Sequence, residues 1–207
     1  MPRIVDHGER RSEVVRALHR TIARGGFEAA SMREIASAAG CTTGVLTHYF
    51  RDKQEILLHA LRFAHHAAAR RMAAAMVGRA PLNALRSVLL EALPLDEDRR
   101  IEWRIWVSFW GRCVADEELV AELRERTREW QELVSGLLVA ARESGDLDDR
   151  LQVREVADEL LALVDGLGLR ATLLPEGMPL RHMVRSIDRR LAEIARVRVA
   201  ERAGRGR

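Results

Sequence analysis

A chain of 207 residues that is 47% hydrophobic and 31% charged is long enough to bury a core and too apolar to stay disordered. Thirty-four basic residues nearly balance 31 acidic ones, so the net charge of +3 does not by itself announce a polyanionic partner. Two cysteines, Cys41 and Cys113, are too few for a disulfide framework and fit a reducing compartment. The polar opening Met1–Gly8 lacks a targeting core and no apolar run is long enough to span a bilayer, so the expected location is cytoplasmic, with no membrane partner.

The elements read as helices throughout, because apolar residues recur at spacings of three and four and never alternate as in strands. Val14, Val15, Leu18 and Ile22 share one face of a first helix, which Gly25-Gly26 ends before Phe27 returns to the core. Ser31-Met32-Arg33-Glu34 has the form of a capping box opening a short second helix, buried through Ile35, Ala36 and Ala39 and stopped by Gly40. Thr42 or Thr43 caps a third, running to about Tyr49, with Val45, Leu46 and Phe50 expected on its buried side. Asp52 and Glu55 suggest a second capping box, opening a long helix striped by Leu57, Leu61, Ala64, Ala68, Met72 and Ala75.

Five more helices are expected near 82–93, 98–114, 116–144, 153–173 and 180–198, separated by Pro94, the Asp116-Glu117-Glu118 turn, Gly145 and Pro175–Pro179. The fold class is therefore all-α, with about nine helices and a polar tail from Glu201. Trp103, Trp106, Phe109 and Trp110 crowd the helix near 98–114. Their spacing fits plain core, and it also fits the wall of a pocket that holds a cation against indole faces. Gly166 and Gly168 each cost about 1 kcal/mol against Ala inside a helix, a cost explained by close approach of a second copy or of a ligand. His59, His65 and His66 have no further ligand at metal spacing, and Cys113 reads as a small buried apolar residue, so no metal is expected.

Residues 31–50 carry the chemistry. Two short helices joined by a glycine turn make helix-turn-helix geometry, in which the second helix enters the major groove of double-stranded DNA. Thr42, Thr43, Thr47 and His48 offer short donors and acceptors suited to base edges and phosphates, and Gly44 permits close backbone approach. Ser31 and Lys53, the chain's only lysine, stand at helix N-termini, where phosphate is favoured. Residues 1–53 carry nine basic against six acidic side chains, a mild excess in the same direction.

These runs, Ser31–Ala36, Ala39–Phe50 and Asp52-Lys53, resemble the signature of TetR-type repressors, with similarity over 10–62. Thr47-His48-Tyr49-Phe50 departs from the usual order of Tyr and His and resembles the BetI-like, choline-responsive branch, as do Trp106–Trp110 and Val164–Leu167. The resemblance implies base or phosphate contacts from Thr42, Thr43, Gly44, Thr47, His48 and Tyr49, and phosphate contacts from Ser31, Arg33 and Lys53. It further implies a helix-turn-helix domain over 1–52, a ligand-binding and dimerisation domain over 53–200, and a flexible tail over 201–207.

On this reading the expected partners are a palindromic operator, a second copy of the chain, and a small-molecule inducer, cationic or apolar, whose identity the sequence does not give. No cofactor is expected. The candidate pocket is Trp103, Trp106, Phe109, Trp110 and Asp165. The last two helices are too apolar to stand alone, and Val156, Leu160, Val164, Leu167, Met183, Ile187 and Leu191 are the residues expected at the homodimer seam. Rival readings are a DNA-binding regulator with no ligand, an activator, and a helical adaptor that binds protein. An enzyme is disfavoured, since the sequence holds no phosphate loop, nucleophile elbow or HExxH.

Overall fold

A computed structural model describes residues 14, 15, 17, 18, 21 and 31–204, with side chains through residue 195. Among the described residues every regular element is a helix. Val14, Val15, Ala17 and Leu18 are helical and buried, and Thr21 Oγ1 donates to the Ala17 carbonyl at 3.0 Å. Ile22, the Gly25-Gly26 stop and Phe27 lie outside the described residues. There follow α1 (Met32–Ala38), α2 (Thr43–Tyr49), α3 (Lys53–Met76), α4 (Pro81–Glu91), α5 (Glu97–Cys113), α6 (Glu117–Glu143), α7 (Val153–Leu173), a single 3₁₀ turn (Pro175–Gly177) and α8 (Leu180–Gly204).

The boundaries follow local chemistry. Pro81 occupies the first turn of α4, where its missing N–H costs nothing. Both α1 and α6 end in the same device: the glycine after the cap takes positive φ, 65° at Gly40 and 81° at Gly145. The next N–H then folds back, from Cys41 to the Ala36 carbonyl (2.9 Å) and from Asp146 to that of Ala141 (2.8 Å). The last helix runs to Gly204 instead of stopping near 198, because no Pro or Gly interrupts the chain before that point.

The chain divides into two compact units, one of residues up to 67 with 97–119, the other of 68–96 with 120 onward. In the first, Ile35, Leu46, Phe50, Ile56, Leu57, Leu61, Ile105 and Phe109 are all fully buried. At about 25 cal/mol per Å² of apolar surface, each such side chain stabilises the fold by roughly 1.5–3 kcal/mol before entropy is counted. In the second, Val88, Val134, Leu138, Leu160 and Ile187 are equally buried, and ion pairs fix the helices' register. Arg86 grips Asp188 with two hydrogen bonds (2.5 and 3.0 Å), joining α4 to α8, and Arg190 pairs with Glu159, joining α8 to α7. No described helix is long and apolar enough to cross a membrane.

Candidate nucleic-acid interface

The two short helices of the helix-turn-helix start at side-chain caps and are anchored by buried Ile35, Ala36, Leu46 and Phe50. Ser31 Oγ accepts from the Glu34 N–H (3.2 Å) while Glu34 accepts from the Ser31 N–H (2.7 Å), completing the capping box. That backbone N–H of Ser31 holds the Glu34 carboxyl below the usual carboxylate range. At α2, Thr42 Oγ1 accepts from the Val45 N–H at 3.2 Å. At α3 the box is stretched by one residue. Asp52 accepts from the Glu55 N–H (2.8 Å), which lowers its pKa, but Glu55 reaches back to the N–H of Arg51 (2.7 Å), one residue before Asp52.

Only Leu46 of α2 is buried, with Phe50 just beyond it. Counting about 100° per residue, these two fix the inner face and put His48 opposite, flanked by Gly44 and Val45. Thr42, Thr43, Gly44, Thr47 and His48 are exposed and Tyr49 is half-buried, its ring meeting that of His48 edge-on at 5.2 Å. Ser31 and Arg33 are exposed and Lys53 is half-buried at the start of α3. Thr47 Oγ1 donates to the Gly44 carbonyl (3.1 Å), so outward it presents lone pairs and a methyl group, suited to an adenine or cytosine amino group.

Two residues depart from the sequence reading. Val45, expected on the buried side of α2, is 40% exposed. The i, i+4 pair Leu46 and Phe50 already defines that side, and Val45 lies roughly 120° from its centre, a displacement that a helical wheel shows. Gln54, which the sequence did not single out, donates to Asp116 (2.7 Å). Asp116 in turn caps α6 by accepting from the N–H groups of Glu118 (3.0 Å) and Leu119 (3.3 Å). No periodicity rule finds a contact between residues so distant in sequence.

The aromatic group on α5 is part core and part surface. Trp103 and Phe109 are buried, whereas Trp106 and Trp110 are half-buried. Trp103 and Trp110 meet edge-to-face (5.7 Å, 83°), as do Trp106 and Phe109 (6.4 Å, 89°). Asp165, on α7, keeps solvent-accessible surface, yet burial of its carboxyl raises its pKa to about 6. It has no hydrogen-bond or ion-pair partner among the described residues.

Val156, Leu160, Val164, Leu167, Met183, Ile187 and Leu191 all lie inside the single chain, none more than 8% exposed. The outward surface of α7 instead carries Ala162, Asp165 and Gly166 among the charged residues Arg154, Glu155, Asp158, Glu159 and Arg170, and at its end and beyond, Leu173, Leu174 and Leu180 are 59%, 64% and 43% exposed. Among the described residues no group of three or more His, Cys, Asp or Glu is placed to hold a metal ion.

A capped helix pair joined by a glycine turn and presenting a polar, glycine-bearing helix has the geometry of a helix-turn-helix. Comparison with known proteins makes this specific. Residues 14–60 match the tetR family of bacterial regulatory proteins, and residues 81–196 match the C-terminal region of BetI-type transcriptional repressors. The chain belongs to this family. It is 31% identical over 179 residues to the HTH-type transcriptional regulator PksA of Bacillus subtilis, covering 84% of each. It is 32% identical over 180 residues to BetI of Burkholderia mallei, covering 85% of this chain and 88% of that one. Among solved structures, a Rhodococcus transcriptional regulator superposes with a TM-score of 0.79 at 28% identity, covering 89% of this chain and 95% of that one. A Saccharomonospora viridis regulator solved in complex with choline does so with 0.80 at 25%, covering 87% and 94%.

Proposed function

We propose that the protein represses transcription as a homodimer on a palindromic operator and that a small organic cation, of the quaternary ammonium class, releases it. The observation that carries the effector is Asp165, a carboxyl whose pKa burial raises and which has no partner among the described residues, a state that an incoming cation relieves. The complex of the S. viridis regulator with choline supports the same ligand class.

Dimerisation is supported by Gly166. Its φ is not positive, and a Cβ built there would meet nothing within 4 Å, so nothing among the described residues explains a helix glycine that costs about 1 kcal/mol against Ala. Close approach of a second copy of α7 does, with Leu173, Leu174 and Leu180 continuing the apolar surface. In this arrangement the seven buried residues of α7 and α8 shape the seam from beneath. A two-fold dimer offers two α2 helices to successive major grooves, about 34–36 Å apart, and so selects a palindrome. An effector coupling of about 1–3 kcal/mol lowers operator affinity roughly 5–150-fold.

Calorimetry with choline and betaine aldehyde, followed by competition against bound DNA, tests the effector. The expected result is saturable heat at micromolar to millimolar ligand and release of DNA, both lost in Asp165→Asn. Absence of heat at millimolar ligand rejects the cation. Sedimentation that finds a monomer at micromolar chain concentration rejects the seam.

A further inference from the structure

We infer that Val45 reads the C5-methyl group of a thymine in the major groove and so determines sequence specificity beside the polar contacts of α2. The inference rests on α2 binding DNA and is independent of the effector and of the dimer seam.

Several observations carry it. Val45 is the single large apolar side chain exposed on α2, and it lies beside His48, roughly 120° from the centre of the buried face. Its neighbour Gly44 has ordinary helical φ, and a Cβ there would meet only Thr42 Oγ1, at 3.9 Å. Packing among the described residues therefore does not demand glycine at 44, and Val45 keeps 40% of its surface exposed.

Both residues are also poor choices for a seven-residue helix. Glycine carries a backbone entropy cost, and a β-branched valine loses side-chain freedom against the preceding turn. Two consecutive unfavourable choices, one of them with no packing role among the described residues and the other still 40% exposed, mark a surface shaped by its partner. For α2 that partner is the floor of the major groove. There the thymine methyl is the one apolar group on any base edge, and every other feature is a donor or an acceptor. A glycine lets the helix backbone come close, and a valine beside it then brings two methyl groups to that depth. A threonine at 45 would add a hydroxyl needing a partner; valine needs none and rejects a polar edge.

The test uses the full-length chain and the duplex that it selects from a random pool. Each thymine is replaced singly by deoxyuridine, which removes the methyl and leaves the hydrogen-bonding edge intact. The native protein is expected to lose about fourfold in affinity at one thymine per half-site, the worth of one buried methyl-sized group, and about fifteenfold when both are replaced. Val45→Ala is expected to bind the thymine duplex more weakly by the same factor and to be indifferent to deoxyuridine at that position, while keeping the native response elsewhere. Alanine is the better helix former, so the variant folds, and circular dichroism checks it. Restoring the methyl as 5-methylcytosine, paired with guanine, should recover a preference over cytosine in the native protein only. Sensitivity to deoxyuridine at no position, or equal sensitivity in native and Val45→Ala proteins, overturns the inference. A pool that enriches no site removes the DNA reading of α2 and this contact with it.

Discussion

Residues Thr43–Tyr49 form a helix that buries one residue, Leu46, whereas Val153–Leu173 bury seven. The short helix is capped by the Thr42 hydroxyl; the long one starts at Gln152 with no side-chain cap. One is held by its end and by a single anchor, leaving most of its surface to a partner. The other is held along its length, and what it offers outward is a mostly charged strip in which Ala162 and Gly166 are the small residues. Each nevertheless contains a glycine, Gly44 or Gly166, that packing among the described residues does not require. Surfaces shaped by a partner thus show as residues that are locally costly and internally unexplained.

If that contrast holds, substitutions in the two helices should fail in different ways. The largest effect is expected from Leu160→Ala, at a fully buried position of α7: a loss of about 2–5 kcal/mol in denaturant unfolding, whatever the DNA or effector present. Asp165→Asn should reduce affinity for a quaternary ammonium by at least about tenfold, the scale of a lost charge-assisted contact. It should also change how stability depends on pH. The folded-state pKa of Asp165, about 6, stands above its ordinary 3.8. The native state therefore holds this proton more tightly than the unfolded chain does between those values. The ionised carboxyl costs stability above pH 6, and the cost disappears as pH falls from 6 toward 4. The asparagine variant should be more stable than the native protein near pH 8 and lose that trend, while native affinity for the cation should fall as pH drops through 6.

Smaller effects belong to the short helix. Thr42→Ala removes the cap of α2 and should cost about 1 kcal/mol, read as weaker DNA binding with the unfolding of the second unit unchanged. Gly44→Ala sharpens the contrast most. It should leave the free protein as stable or raise it by up to about 1 kcal/mol, and at the same time weaken DNA binding. A variant that gains stability and keeps its affinity would show that close approach to DNA does not require glycine at 44.

The parts legible in the sequence are those governed by neighbours along the chain. Caps at Ser31 and Thr42, the glycine turn at 40, the proline before α4 and the helix over 153–173 all follow from residues within a few positions. Two kinds of fact were hidden. Burial within a helix depends on which face its neighbours cover, so Val45 reads as core and is exposed. The apolar stripe of α7 and α8 reads as a seam between chains and is buried within one, because a stripe has the same period whichever surface covers it. Contacts across long sequence separation, such as Gln54 with Asp116 and Arg86 with Asp188, leave no periodic trace.

The most direct test of the central claim, that α2 of two chains reads one DNA site, is selection of duplexes from a random pool by the full-length protein. Stoichiometry and salt dependence would then be measured on the winning site. The expected result is a palindrome bound by two chains, its half-sites centred about one helical turn or slightly more apart, with affinity falling steeply as salt rises. Binding no tighter to any selected site than to bulk DNA, or a single chain on an asymmetric site, would contradict it.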